Sequence, residues 1–166
     1  DMDDDEEEEY DEDEYDDDQE DDESWNVRRS AIRTLNAIVK IAAHDPSKLW
    51  TEEYAWRKNK KYKTTVAAAL VNRFKERDEN CRVEIVHCFS TLLGNTIEAA
   101  KTGDIILKSD DTMDVTGDAA HTVIDLRTKY APLVVKGCEA QLKEKKAGNR
   151  TKVAALSLIS TLCKAP

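Results

Sequence analysis

Cysteines, histidines and a dense run of carboxylates are the residues of this chain that could do chemistry. Cys81, His87 and Cys88 fall within eight positions, the kind of cluster from which a Cys-His nucleophile or half a zinc site is built. Helical spacing argues against both. Positions 87 and 88 point about 100° apart on a helix, so their side chains do not meet. Cys81 and Cys88 lie two turns apart and share a face with Ile85 and Leu92, as core thiols do. No second ligand pair follows, and His44 and His121 stand alone. The four cysteines, Cys81, Cys88, Cys138 and Cys163, show no CxxC spacing and sit in apolar stripes. They read as buried thiols of a reducing, intracellular compartment, in which the sequon Asn149-Arg150-Thr151 is irrelevant.

The carboxylates are concentrated at one end. Nineteen of the first 24 residues are Asp or Glu, and no base precedes Arg28. General acid–base work needs a pair of carboxyls held rigidly in a partly desolvated site. A ribbon of like charges with almost nothing apolar to bury cannot collapse and reads as disordered. Asp110, Asp111, Asp114 and Asp118 lack the ligand order and terminal Glu of a calcium loop. With five glycines in the chain, no Gly-rich phosphate loop is present. No catalytic residue, metal ligand or cofactor site is therefore expected.

The bases carry the remaining signal. The whole chain has charge −10, but residues 25–166 hold 25 basic and 16 acidic residues, a balance of +9. Arg28 and Arg29 begin one apolar-periodic stretch; Arg73, Lys75, Arg77 and Arg82 surround a charged break; Lys143, Lys145, Lys146 and Arg150 surround another. Arg57, Lys58, Lys60, Lys61 and Lys63 form a further basic stretch. If those breaks align in space, they make a basic edge suited to an acidic protein partner. Nucleic acid fits less well, since nineteen tethered negative charges compete with phosphates. No apolar run is long enough to cross a bilayer, and no signal peptide is recognisable.

These bases must be positioned by helices. Val27, Ala31, Leu35 and Ile38 recur at offsets of four, four and three, with Ile32, Val39 and Ala42 beside them. Ser24 stands where an N-cap would, and Asp45-Pro46 closes the run. Residues 48–63 are mixed. A second helix is predicted over 64–77 from Val66, Leu70 and Phe74. A third follows on Cys81, Ile85, Phe89 and Leu92, with Gly94-Asn95 as its stop and a long loop over 95–118. Residues 119–130 are moderately helical. Pro132 opens another helix with Val134, Val135, Cys138 and Leu142 inward. A last helix after Gly148 carries Ala155, Ile159 and Leu162, with Val153, Leu156 and Cys163 alongside. No strand alternation is visible, so the class is all-α.

The helices pair: 64–77 with 81–93, and 132–146 with 149–163. Val27, Cys81 and Thr151 each lead the same apolar pattern, Thr151 being the weakest. Two-helix units that repeat in this way stack into an α-solenoid. The leaders are 54 and 70 residues apart, beyond the 40–47 or so of HEAT repeats; the excess is placed in 46–63 and 95–118. The expected architecture is an acidic disordered segment, 1–24, followed by a solenoid segment of HEAT-type antiparallel helix pairs, 25–166, of about two and a half repeats. The helix from Trp25 reads as the second half of a pair.

Ser24-Trp25-Asn26-Val27-Arg28-Arg29 directly after an acidic insert, and Leu70-Val71-Asn72-Arg73-Phe74-Lys75-Glu76-Arg77-Asp78-Glu79-Asn80 at the next repeat, resemble the cullin-associated, neddylation-dissociated proteins, also described as TATA-binding-protein-interacting proteins. The resemblance covers essentially the whole chain except the loop 94–118, and matches an interior stretch of the amino-terminal half. It implies a non-catalytic scaffold that binds the unmodified cullin–RING subunit complex and regulates cullin-RING (SCF-type) ubiquitin ligases in cytoplasm and nucleus. Arg28, Arg29, Arg73, Lys75, Arg77, Arg82, Lys143, Lys145, Lys146 and Arg150 are the candidate partner contacts. No nucleic-acid, membrane or homo-oligomeric partner is expected. The competing expectation is a HEAT adaptor for a transport or chromatin factor with an acidic tail.

Overall fold

The computed structural model describes residues 20–55, 63–102 and 126–164. Most of the acidic segment, the bases 57–61 and the loop acids 110–118 lie outside the described residues.

Helix α1 spans Glu20–Ile41, so it starts before Ser24. Ser24 is not its N-cap: its Oγ accepts a hydrogen bond from Arg28 Nη1 at 2.6 Å, one turn further on. After Asp45-Pro46 a short helix, α2 (Ser47–Thr51), leads to strand β1 (Tyr54–Ala55), which pairs antiparallel with β2 (Lys63–Thr64) in the register Tyr54↔Thr64. This two-stranded ribbon departs from the all-helical expectation locally and leaves the class unchanged. Helix α3 (Val66–Asn72) is capped by Thr65, whose side chain accepts from Ala68 N. Helix α4 (Glu79–Thr102) follows. One turn of π-helix, Leu126–Tyr130, runs into α5 (Ala131–Lys143), with Pro132 in its first turn, and α6 (Asn149–Leu162) completes the described chain.

The helices form two layers. In one, α4 lies between α1 and α6; in the other, α3 packs against α2 and α5. The pairs α3–α4 and α5–α6 are the two expected hairpins, and the stack is solenoid-like. Central placement explains why α4 is buried along most of its length: Cys81, Ile85, Phe89 and Leu92, the predicted stripe, are all at most 2% exposed. Val83, Val86 and Leu93 widen that stripe around the helix.

Gly94-Asn95 does not end α4. Gly94 is an ordinary helical position, and side-chain bonds, one of them to α1, hold the next turn. Asn95 Nδ2 donates to the Val39 carbonyl at 2.9 Å, and Thr96 Oγ1 donates to the Leu92 carbonyl at 2.8 Å. Part of the supposed excess is thus helix. The segment at 46–63 also contributes to the core. Trp50 is 1% exposed and meets Phe89 and Tyr130 edge-on, with ring centroids 5.7 and 5.1 Å away.

The stripe of α1 needs rotation. Val27 and Ile38 are 70% and 49% exposed, and Ala31 is exposed too. Leu35 keeps its inward place, but Ile32 and Val39 pack on the core in place of Ala31 and Ile38, each one position on. Among the described residues α1 has no hairpin partner, so its second apolar stripe faces outward. The same holds at the opposite end of the stack. Val135 of α5 and Val153 and Leu156 of α6 are exposed, and the inward face of α6 is Thr151, Ala154, Ala155 and Leu158. Thr151 is fully buried, so the weak member of the repeated pattern is Val27. Cys163 is exposed, unlike the other three thiols, and stands just past the end of α6 at Leu162.

Candidate partner-binding edge

The helix ends that carry the bases do come together. The turn between α3 and α4 (73–78) sits between the start of α1 and the turn between α5 and α6 (144–148). On the first side, Arg28 Nε lies 3.5 Å from Glu76 Oε1, and Arg73 Nη1 lies 3.5 Å from Glu76 Oε2. Glu76 is nearly buried between the two guanidiniums, its side chain 8% exposed. On the second side, Arg82 Nη1 lies 3.8 Å from Glu144 Oε2 and donates to the Glu76 carbonyl at 3.3 Å. Arg150 Nη1 donates to Asn80 Oδ1 at 3.2 Å. Further along α1, Arg29 and Arg33 share Glu84, at 3.5 and 3.1 Å. The Arg29 guanidinium also lies 6.0 Å from the centre of the Trp25 ring.

The acids of this edge are used internally. Asp78 caps α4, accepting from Cys81 N at 2.7 Å. Glu79 serves α6: Thr151 Oγ1 donates to its Oε1 at 3.0 Å, and its carboxylate lies against Gly148, where α6 begins without a side-chain cap of its own. A carboxylate suits that end of the helix dipole. Read from sequence, 76–80 was a charged break. Its capping of a neighbouring repeat's helix left no local signal, since Thr151 is 72 residues away.

The bases are less committed. Lys75, Lys145 and Lys146 are exposed and, among the described residues, have no carboxylate partner. Lys143 pairs with Glu139 on its own helix, and that pairing holds the Glu139 carboxyl below its ordinary pKa. A polar recess of about 410 Å³, lined by Trp25, Arg28, Arg73, Glu76, Arg77 and Asp78, opens where α1 meets the α3–α4 turn. Beside it, Ala31, Ile32 and Leu35 of α1, Ala69 and Leu70 of α3 and Ile85 line an apolar groove of about 220 Å³. Of the ten candidate contacts, Arg28, Arg73, Arg82 and Arg150 are thus joined across these helix ends, Lys75 and Arg77 lie in the α3–α4 turn, Lys143, Lys145 and Lys146 lie at the α5–α6 turn, and Arg29 follows Arg28 on α1. Lys63 of the other basic stretch is placed on β2.

Reactive chemistry is not assembled here. Cys81 and Cys88 are buried and His87 is exposed, so thiol and imidazole stay apart. Cys81 Sγ donates to the Trp25 carbonyl at 3.3 Å. Burial, with the Asp78 carboxylate adding to it, pushes the Cys81 thiol up to about 11; burial alone pushes Cys138 to about 11 and Cys88 to about 12. Thiols so shifted are poor nucleophiles at neutral pH. Among the described residues, no three His, Cys, Asp or Glu side chains are grouped to hold a metal, and no helix is long and apolar enough to cross a membrane.

Comparison with known proteins gives the same resemblance as the sequence. Over 127 residues, 76% of its length, the chain is 31% identical to the fruit fly (Drosophila melanogaster) Cullin-associated NEDD8-dissociated protein 1. Over 139 residues, 84% of its length, it is 29% identical to the Arabidopsis thaliana protein of the same name. It spans only 8% and 9% of those two relatives. No protein-family model matches the chain, and no solved structure does.

Proposed function

We propose that this chain is a non-catalytic scaffold segment of a cullin-binding assembly or exchange factor, one that acts on cullin-RING ligases by binding the cullin–RING complex in its unmodified form. The observation that carries the proposal is the similarity to two Cullin-associated NEDD8-dissociated proteins over most of this chain, from a fly and a plant. The fold supports it physically. Stacked hairpins bury one face against their partner and another against the next unit, which leaves edges and faces for a large protein. The edge around Glu76 carries the exposed bases Lys75, Lys145 and Lys146, and bases so placed suit the steering of an acidic protein surface. The proposed setting is the cytoplasm and nucleus.

Capture on immobilised cullin–RING complexes, with and without the NEDD8 modifier, tests the proposal on the longer protein that contains this segment. Preferential retention by the unmodified complex is expected. Equal retention by both forms, or by neither, overturns it.

A further inference from the structure

We infer that the acidic N-terminal segment, residues 1–19, is the resident occupant of the basic edge and competes there with acidic partners. The inference rests on the reading of that edge as a docking surface and adds its regulation.

Charge is the first argument. Within the helix ends and turns at 28–33, 73–84 and 139–152 there are twelve basic and six acidic side chains, a balance of +6. The acids are spoken for: Glu76 and Glu84 each hold two arginines, Asp78 and Glu79 serve helix ends, Glu139 pairs with Lys143 on its own helix, and Glu144 pairs with Arg82 of α4. The charge of Lys75, Lys145 and Lys146 is left uncompensated among the described residues. Residues 1–19 carry fifteen carboxylates and no base, so they supply what the edge lacks.

Position is the second. The segment joins the domain at Glu20, and the polar recess bounded by Trp25, Arg28 and Arg77 begins about one turn into the same helix. From the start of α1 to the α5–α6 turn is two helix spacings, roughly 20 Å at 8–10 Å each. Nineteen extended residues reach about 65 Å, so the segment can run the length of the edge. Tethering places it at an effective concentration of the order of millimolar. A free acidic partner must displace it, and salt must weaken both contacts.

The test uses the full-length chain and a labelled ten-residue polyglutamate peptide. One version is unaltered; in the other the fifteen acids of residues 1–19 become Asn or Gln. At about 20 mM salt, where screening is weak, the neutralised chain is expected to bind the peptide roughly tenfold more tightly, the margin a tethered competitor provides. The margin should vanish near 0.5 M salt. Equal affinity of the two chains at low salt overturns the inference. Reversing Lys75→Glu, Lys145→Glu and Lys146→Glu in the neutralised chain should abolish peptide binding. If binding survives with unchanged affinity, the competition takes place elsewhere and this edge is not the segment's site. These lysines are exposed, so an unchanged melting curve is expected for every version. The assay contains no cullin, so its failure and a failure of the cullin–RING capture are separate results.

Discussion

Trp50 Nε1 donates to Thr96 Oγ1 at 2.9 Å, joining the two segments that look most like insertions in the sequence. Both groups are buried, and Thr96 passes the chain of bonds on to the Leu92 carbonyl. Beside them Thr65 Oγ1 and Tyr130 OH are 3.0 Å apart. The aromatic centre formed by Trp50, Phe89 and Tyr130 is thus fixed by two side-chain hydrogen bonds that reach across the fold.

Removing one partner of such a pair is costly because the other is left buried without a bond. Thr96→Val keeps the volume and strands the indole N–H, so a loss of about 1–3 kcal/mol is expected. Thr96→Ser keeps the hydroxyl and should lose less than half as much. Urea unfolding midpoints measure both. Equal stability of the Val and Ser variants would show that the bond contributes nothing.

Gly94 and Gly137 predict opposite outcomes for one substitution. Both lie inside helices, where Gly→Ala ordinarily stabilises by about 0.5–1 kcal/mol. A Cβ at Gly94 would meet nothing within 4 Å. At Gly137 it would stand 2.8 Å from Phe74 Cδ2, and Phe74 is itself buried. Forcing that ring aside costs about 1–3 kcal/mol and outweighs propensity. Thermal denaturation of the two variants should show Gly94→Ala melting higher and Gly137→Ala melting lower than the parent. A rise in both means that Phe74 yields freely.

The helix pairs were legible because burial on one face imposes a period, and Cys81, Ile85, Phe89 and Leu92 carry it cleanly. What was not legible depended on neighbours distant in sequence. Gly94-Asn95 has the residues of a helix stop, yet Asn95 finds the Val39 carbonyl and the helix continues. The stripe headed by Val27 has correct spacing, but only the choice of neighbour decides whether Ala31 or Ile32 points inward. The basic edge was readable as composition around turns, since turns of stacked hairpins must align. The roles of Glu76 and Glu79 within it were not, because each serves a residue of another repeat. Trp50 was hidden for a different reason: five residues of helix between Pro46 and a short strand show no period at all.

The four thiols should separate by reactivity. Cys163 is exposed past the end of α6, whereas Cys81, Cys88 and Cys138 are buried and have raised pKa values. A water-soluble thiol reagent at pH 7.5 is expected to modify one cysteine per chain rapidly, and Cys163→Ser should remove that phase. The other three should react only as the fold opens, and together in denaturant. A second fast thiol in the folded chain would place one of the buried cysteines at the surface.

The same burial predicts loss of stability at alkaline pH. In the unfolded chain a thiol ionises near pH 8.5; in the fold Cys88 holds its proton to about 12 and Cys81 and Cys138 to about 11. Below the unfolded value both states are protonated, and the native advantage is fully present. Above it the unfolded chain gives up protons that the fold retains, so fewer are bound in the unfolded state and stability must fall as pH rises. Each thiol contributes a slope of up to about 1.4 kcal/mol per pH unit between roughly pH 9 and its native pKa. Lysines and tyrosines titrate in the same range, so the comparison is with Cys88→Ala, which changes only one thiol. Unfolding free energies at pH 8, 9, 10 and 11 should decline less steeply for that variant, although its stability at pH 8 is lower. Parallel declines would mean that the Cys88 thiolate is tolerated inside the fold, and that the helix layer around α4 admits water.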